Sequence, residues 1–205
     1  MFRIVLIGLT VVSTAAATIE TVPYLSLSGG LSILEDTELA VQGVNVFELS
    51  FDEGYILEAA AGVTLDRGID TLPVRVEVAL SYQENDMDQI TDPLGVIGPP
   101  GAAYSDDSTA GALALMLNGY LDFPTDYNII PFVMAGIGGA NIDFDVDDAT
   151  VLAGQVGGGI GYALNERLIL DLKYKYFFTE KFDVLGVART NAQGHQLQLG
   201  LRVQF

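Results

Sequence analysis

The 205-residue chain is half hydrophobic, holds 27 acidic against 9 basic residues for a formal net charge of −18, and has no cysteine. That acidity argues against a nucleic-acid partner, because there is no basic patch to neutralise phosphates. The missing thiols exclude disulfides, thiol catalysis and thiolate metal centres, and the length suits one domain.

In chain order, the first residues read as an export signal. Arg3 supplies the positive start, Ile4 to Val12 a short apolar run, and Ser13 to Ala17 a small-residue stretch. Ala15 and Ala17 fit the A-x-A cleavage rule, so residues 1–17 are expected to be a signal peptide and residues 18–205 the mature domain. The apolar run is too short for a spanning helix, which needs roughly 20 residues. No later stretch reaches that length either.

Seven further segments, then an eighth at the end, alternate apolar with polar or small residues. Such a period of two marks a strand with one greasy face. The first is Pro23 to Ile33, with Leu25, Leu27 and Leu31 opposite Tyr24, Ser26 and Ser28. Gly54 to Leu65 sets Tyr55, Leu57 and Val63 against Glu58, Ala60 and Thr64. Leu72 to Gln83 is the cleanest, with Val74, Val76, Val78 and Leu80 against Arg75, Glu77 and Ser81. Ala110 to Leu121 follows, with Leu113, Leu115 and Leu117 opposite Met116, Asn118 and Tyr120. Ile130 to Ala140 is apolar or glycine on both faces, so its register stays open. Val151 to Leu164 places Val156, Ile160 and Tyr162 against Gln155 and three glycines. Arg167 to Phe178 puts Leu170, Leu172 and Tyr174 opposite Asp171, Lys173 and Lys175. His195 to Phe205 closes with Leu197, Leu199, Leu201 and Val203 opposite Gln196, Gln198 and Arg202.

Connections alternate in length. Short turns fall at Asp66–Thr71, Asp122–Asn128 and Asn165–Glu166; long loops fall at Leu34–Glu53, Glu84–Thr109, Asn141–Thr150 and Thr179–Gly194. Segments of about ten residues, joined by short turns on one side and long loops on the other, fit a transmembrane barrel. Pro23, Pro73 and Pro131 lie near strand starts, where a missing N–H costs the ladder least.

If the apolar faces meet lipid, the polar faces enclose an ionic set: Glu58, Arg75, Glu77, Asp171, Lys173, Lys175 and Arg202. A near-balanced set should pair across a narrow interior, since isolated buried charge is costly. Asn118, Gln155, Gln196 and Gln198 would extend the network. Small barrels have interiors that side chains fill, so structural packing is the first reading and a gated ion path the sharper one.

Most of the acidity sits in the long loops, which repulsion is expected to hold splayed. Asp143, Asp145, Asp147 and Asp148 could offer oxygens to Ca²⁺, but the stretch lacks the glycine and distal glutamate of an EF-hand loop. Solvated acidic surface is the plainer account. Gly95 to Gly101 reads as a mobile apolar loop tip or a partner contact. There is no G-x-S-x-G, H-E-x-x-H or P-loop motif. No enzyme and no cofactor are expected.

Two stretches and the closing strand carry a family likeness. Leu113-Ala-Leu-Met-Leu-Asn-Gly-Tyr-Leu-Asp122 is similar to a leucine-rich strand ending in Asn-x-Tyr-x-Asp, and Pro131-Phe-Val-Met-Ala-Gly-Ile-Gly-Gly139 to a proline–aromatic–glycine strand. With the leader and the final Phe205, the chain resembles the small eight-stranded outer-membrane β-barrels, the OmpA-transmembrane-domain and opacity-protein-like group. The resemblance implies an all-β, eight-stranded antiparallel up-and-down barrel with short periplasmic turns and long extracellular loops. It implies Phe205 as the signal read by the barrel-assembly machinery, a bacterial outer-membrane location, and lipid or lipopolysaccharide as neighbours. A cell-wall tether of the full-length OmpA kind is not expected. Some barrels of this kind modify lipid A with a His–Ser pair; His195, the one histidine, has the parity of the lipid-facing residues and no serine beside it. The expected function is therefore a monomeric, plugged surface barrel for adhesion or envelope integrity, with a surface ligand at the loops. A narrow channel is the alternative, and a lipid-modifying enzyme stands further back.

Overall fold

The computed structural model describes residues 20–35, 37–41, 44–51, 53–66, 72–92, 94, 98–105, 109–144, 147–180, 182–184 and 188–205. The expected signal peptide, residues 1–17, lies outside them. Every described element is a strand: β1 (Glu20–Leu34), β2 (Thr37–Val41), β3 (Val44–Phe51), β4 (Glu53–Asp66), β5 (Val74–Asp92), β6 (Ala102–Ser105), β7 (Thr109–Asp122), β8 (Ile129–Phe144), β9 (Asp147–Ala163), β10 (Leu168–Thr179), β11 (Phe182–Val184), β12 (Ala188–Thr190) and β13 (Gln193–Gln204).

Eight of these close into a barrel. β1 pairs antiparallel with β4 and β13, and the circuit runs β1-β4-β5-β7-β8-β9-β10-β13 with every pair antiparallel. Closure leaves these strands without an unpaired edge. The eight alternating segments of the sequence are the eight wall strands. Both described chain ends lie at the turn end, where Phe205 N–H donates to the Pro23 carbonyl at 3.0 Å.

Alternation decides which side chain faces where. On β5, Arg75, Glu77, Ala79 and Gln83 are buried inside, while Val74, Val76, Val78 and Leu80 stand exposed outside. The same holds round the wall: Leu27 is 66% exposed, Leu115 57% and Leu199 56%. A continuous aliphatic exterior far exceeds the few hundred Å² that a water-soluble surface carries. Such a belt is built for hydrocarbon, and the polar residues turn inward because lipid cannot solvate them.

One open point is settled and one expectation needs correction. The segment from Ile130, whose register the sequence left open, has Phe132 and Met134 pointing in and Val133 and Ile137 out. The described parts of the long loops are not splayed but paired. β2, β3, β6, β11 and β12 extend the wall beyond the belt, in the order β11-β12-β2-β3-β5-β6. β5 has 19 residues, about twice the 9–11 that a tilted strand needs to cross a bilayer. Its far half, Met87 to Asp92, pairs with β3 on one side and β6 on the other. Backbone pairing draws these acidic segments into strands, because each N–H and C=O that finds a partner in the ladder is satisfied there.

Candidate functional site: the ionic interior and the loop-end rim

The interior near the turn end is built from two forked ion pairs. Arg75, the second residue of β5, donates from Nε to Asp122 Oδ2 at 2.8 Å and from Nη2 to Oδ1 at 2.8 Å. Arg202 on β13 holds Asp171 on β10 in the same two-pronged way, at 3.0 Å for both bonds. This planar bidentate match is the strong form of a carboxylate pair. Tyr24 lies between the two guanidiniums, 5.9 Å from Arg75 and 5.6 Å from Arg202. Arg75 also lies 4.1 Å over the Tyr120 ring, so its face is covered as well as its edge.

Further in, Glu58 on β4 accepts from two lysines of β10, Lys173 at 2.6 Å and Lys175 at 2.5 Å. β4 and β10 are separated in the wall by β1 and β13, so these bonds cross the interior. Glu77 accepts instead from neutral donors: Tyr24 Oη at 3.0 Å, Tyr120 Oη at 2.7 Å and Asn118 Nδ2 at 3.2 Å. Gln155 then donates to Asn118 Oδ1 at 2.6 Å. A glutamine file continues toward the loop end, Gln198 to Gln196 and Gln196 to Gln83, with Ser28 donating to Gln198.

All seven residues of the sequence-derived ionic set are thus buried within the wall, each at 5% exposure or less. The residue that sequence reasoning missed is Asp122, assigned there to a turn. It ends β7, points inward and is 4% exposed. Its parity with Asn118 and Tyr120 was the available signal. With Asp122 included, and apart from Asp92 in the far half of β5, the described buried ionic groups are four carboxylates and four cations. Glycine makes room for the large heads: a Cβ on Gly161 would sit 2.9 Å from Asp171 Oδ1, and one on Gly159 2.6 Å from the Phe132 ring.

Other sequence candidates lie at the loop end. Asp143 and Asp148 pair through the backbone at the β8–β9 tip and Asp147 pairs with Phe144, while Asp145 lies outside the described residues. Among the described residues no group of three or more potential metal ligands comes together. The tip after β5 is braced: Asp92 accepts from Gly98 N–H through its carboxylate at 3.2 Å and from Gly101 N–H through its carbonyl at 2.7 Å. Gly101 has φ +79°, a left-handed conformation that glycine adopts without strain. Residues 95–97 of that stretch lie outside the described set. His195 faces outward at the rim, with Tyr174 Oη 2.7 Å from Nδ1 and Glu35 Oε1 3.1 Å from Nε2. Among the described residues its hydrogen-bonding partners are a phenol and a carboxylate.

Comparison with known proteins agrees with this geometry. No curated protein sequence matches the chain. In fold it is similar to Neisserial surface protein A (TM-score 0.54, 16% identity, 89% of this chain and 97% of that one). It is similar too to the outer membrane protease OmpT from Escherichia coli (0.52, 10%, 94% and 99%) and to the outer membrane protein OprG from Pseudomonas aeruginosa (0.50, 15%, 89% and 95%). At these identities the likeness is one of fold. The family model for the outer membrane protein beta-barrel domain matches residues 4–205. The chain belongs to that family of bacterial outer-membrane β-barrels.

Proposed function

We propose that this barrel is a non-enzymatic, monomeric surface protein whose interior is closed to ion flow and whose acidic loop end is its contact surface, in adhesion or envelope integrity. It would be exported by residues 1–17, inserted by the barrel-assembly machinery through a strand ending in Phe205, and surrounded by outer-membrane lipid and lipopolysaccharide. The supporting observation is the pair of bonds from Lys173 and Lys175 to Glu58. They join β4 to β10, three places apart round the eight-strand wall, through the interior, where a water-filled path would have to run. A stretch without a base from Glu84 to Thr109 supports the loop end as an anionic surface, suited to a basic partner.

Planar-bilayer recording tests the closed interior. The folded protein should show no stable unitary openings, and a reproducible single-channel conductance would establish the narrow-channel alternative instead. Replacing Asp86, Asp88, Asp106 and Asp107 by Asn tests the surface role. Cells carrying the neutralised protein should keep detergent resistance and lose attachment to surfaces; unchanged attachment would count against the loop end.

A further inference from the structure

Where β5, β7 and β8 rise out of the apolar belt, the outer wall has a recess of about 180 Å³ lined by Tyr82, Glu84, Thr109, Gly111, Leu113 and Asn141. It opens on the lipid side, since Tyr82 and Leu113 are outward and 39% and 49% exposed. Gly111 creates the space. A Cβ built there meets a single atom within 4 Å, the Tyr82 hydroxyl at 4.0 Å. Leu80 and Leu115, two residues below Tyr82 and two above Leu113 in number, begin the hydrocarbon belt directly beneath. The lip is polar. Tyr82 Oη donates to Glu84 Oε2 at 2.5 Å, and Asn141 Nδ2 donates to Thr150 Oγ1 at 3.3 Å.

The chemistry of this lining selects its ligand. No lysine or arginine is in it, and a carboxylate stands at its mouth, so a phosphate is repelled. A carboxylate, an amide and a hydroxyl together accept from and donate to neighbouring alcohol groups. The tyrosine ring offers an apolar face to the C–H side of a sugar. Pockets for drug-sized ligands begin near roughly 300 Å³, so this smaller recess holds one ring. Its height, at the aromatic upper margin of the belt, is that of lipid headgroups.

We propose that this recess binds the uncharged sugar headgroup of an outer-leaflet glycolipid, with the lipid chain lying over Leu113 and Leu115. The proposal needs only an outward face in contact with lipid, and it is independent of whether the interior conducts or the loops adhere.

The test uses the full mature chain in phosphocholine micelles, with octyl β-glucoside, free glucose and decyl phosphate titrated separately against backbone amide shifts. Octyl glucoside should give saturable shifts at Gly111, Leu113 and Asn141, about tenfold tighter than glucose, as burial of about two methylenes provides. Gly111→Leu, which fills an outward recess and leaves the inner face intact, should abolish them. Glu84→Gln should weaken them while retaining the same spectrum elsewhere. Shifts spread evenly over the belt, an unchanged response in Gly111→Leu, or equal binding of decyl phosphate would overturn the site. Glucose binding as tightly as the alkyl glucoside would overturn the lipid as its source.

Discussion

Toward the turn end, the interior of the barrel is held by charge; toward the loop end, along β7 to β10, it is held by apolar contact. The first region has Arg75 with Asp122, Arg202 with Asp171, and the lysine pair on Glu58. The second packs Ala112, Ala114, Met116, Ala140, Ile142, Val151, Ala153 and Phe177 into one buried cluster. Both lie on the same inward faces of continuous strands, so alternation sets the side a residue takes but not the chemistry found there. The two regions also fail differently. A buried ion pair is worth little over a greasy replacement, yet half of one is very costly. Apolar packing loses stability in proportion to the volume removed. The charged region should therefore respond to single substitutions as a switch, and the apolar one by degrees.

The largest effect is expected from Glu58→Gln. It leaves Lys173 and Lys175 buried with no carboxylate between them, and breaking such a pair costs about 3–5 kcal/mol. Urea unfolding in lipid vesicles, followed by the mobility difference between folded and boiled protein, would register it. A midpoint equal to that of the unaltered protein would mean that the interior is wet enough to solvate both lysines.

A second substitution sharpens the contrast by trying to convert one region into the other. Arg75→Met or Asp122→Leu alone should each destabilise by about 3–5 kcal/mol, through the charge left behind. The double variant removes both charges and should recover most of that loss, because Tyr120 and Phe132 already flank the position. Double-variant stability equal to the sum of the two singles would show that the pair does not act as a unit.

Much of this was legible in the chain itself. Val74-Arg-Val-Glu-Val78 alone assigns five side chains to two faces, and the burial pattern of β10 repeats what Leu170 to Tyr174 spell out. The segment from Ile130 could not be read this way, because both of its faces are apolar or glycine. Its register follows from neighbours far away in sequence. Gly136 and Gly138 turn inward beside Asn118 and Met116, whose side chains occupy the room that a Cβ would need. Which charge pairs with which was equally hidden: parity puts Lys173 inside but cannot choose between Glu58 and Glu77. The loop strands were missed because acidic residues read as solvated coil. Their alternation is broken, at Leu39-Ala-Val41 and at Val46-Phe47, yet Val41 pairs with Val44 across the two residues Gln42-Gly43. That is the spacing of a tight hairpin.

The smallest effect belongs to the apolar region. Ile142 is 3% exposed and packs in the cluster with Met116, Val151 and Phe177. Ile142→Val removes one methyl group, changes no charge and leaves every inward hydrogen bond in place. A loss of about 0.5–1.5 kcal/mol follows from the transfer and cavity terms for that change. The same urea measurement would resolve it against the much larger response of Glu58→Gln. A loss as great as that of the charge variant would mean that the loop-end cluster and the ionic layer form one cooperative unit, coupled through Met116 and its neighbour on β7, Asn118, which touches Glu77. A loss within the graded range would leave two independent regions stacked in one barrel, the upper free to vary in volume while the lower tolerates change only in matched pairs.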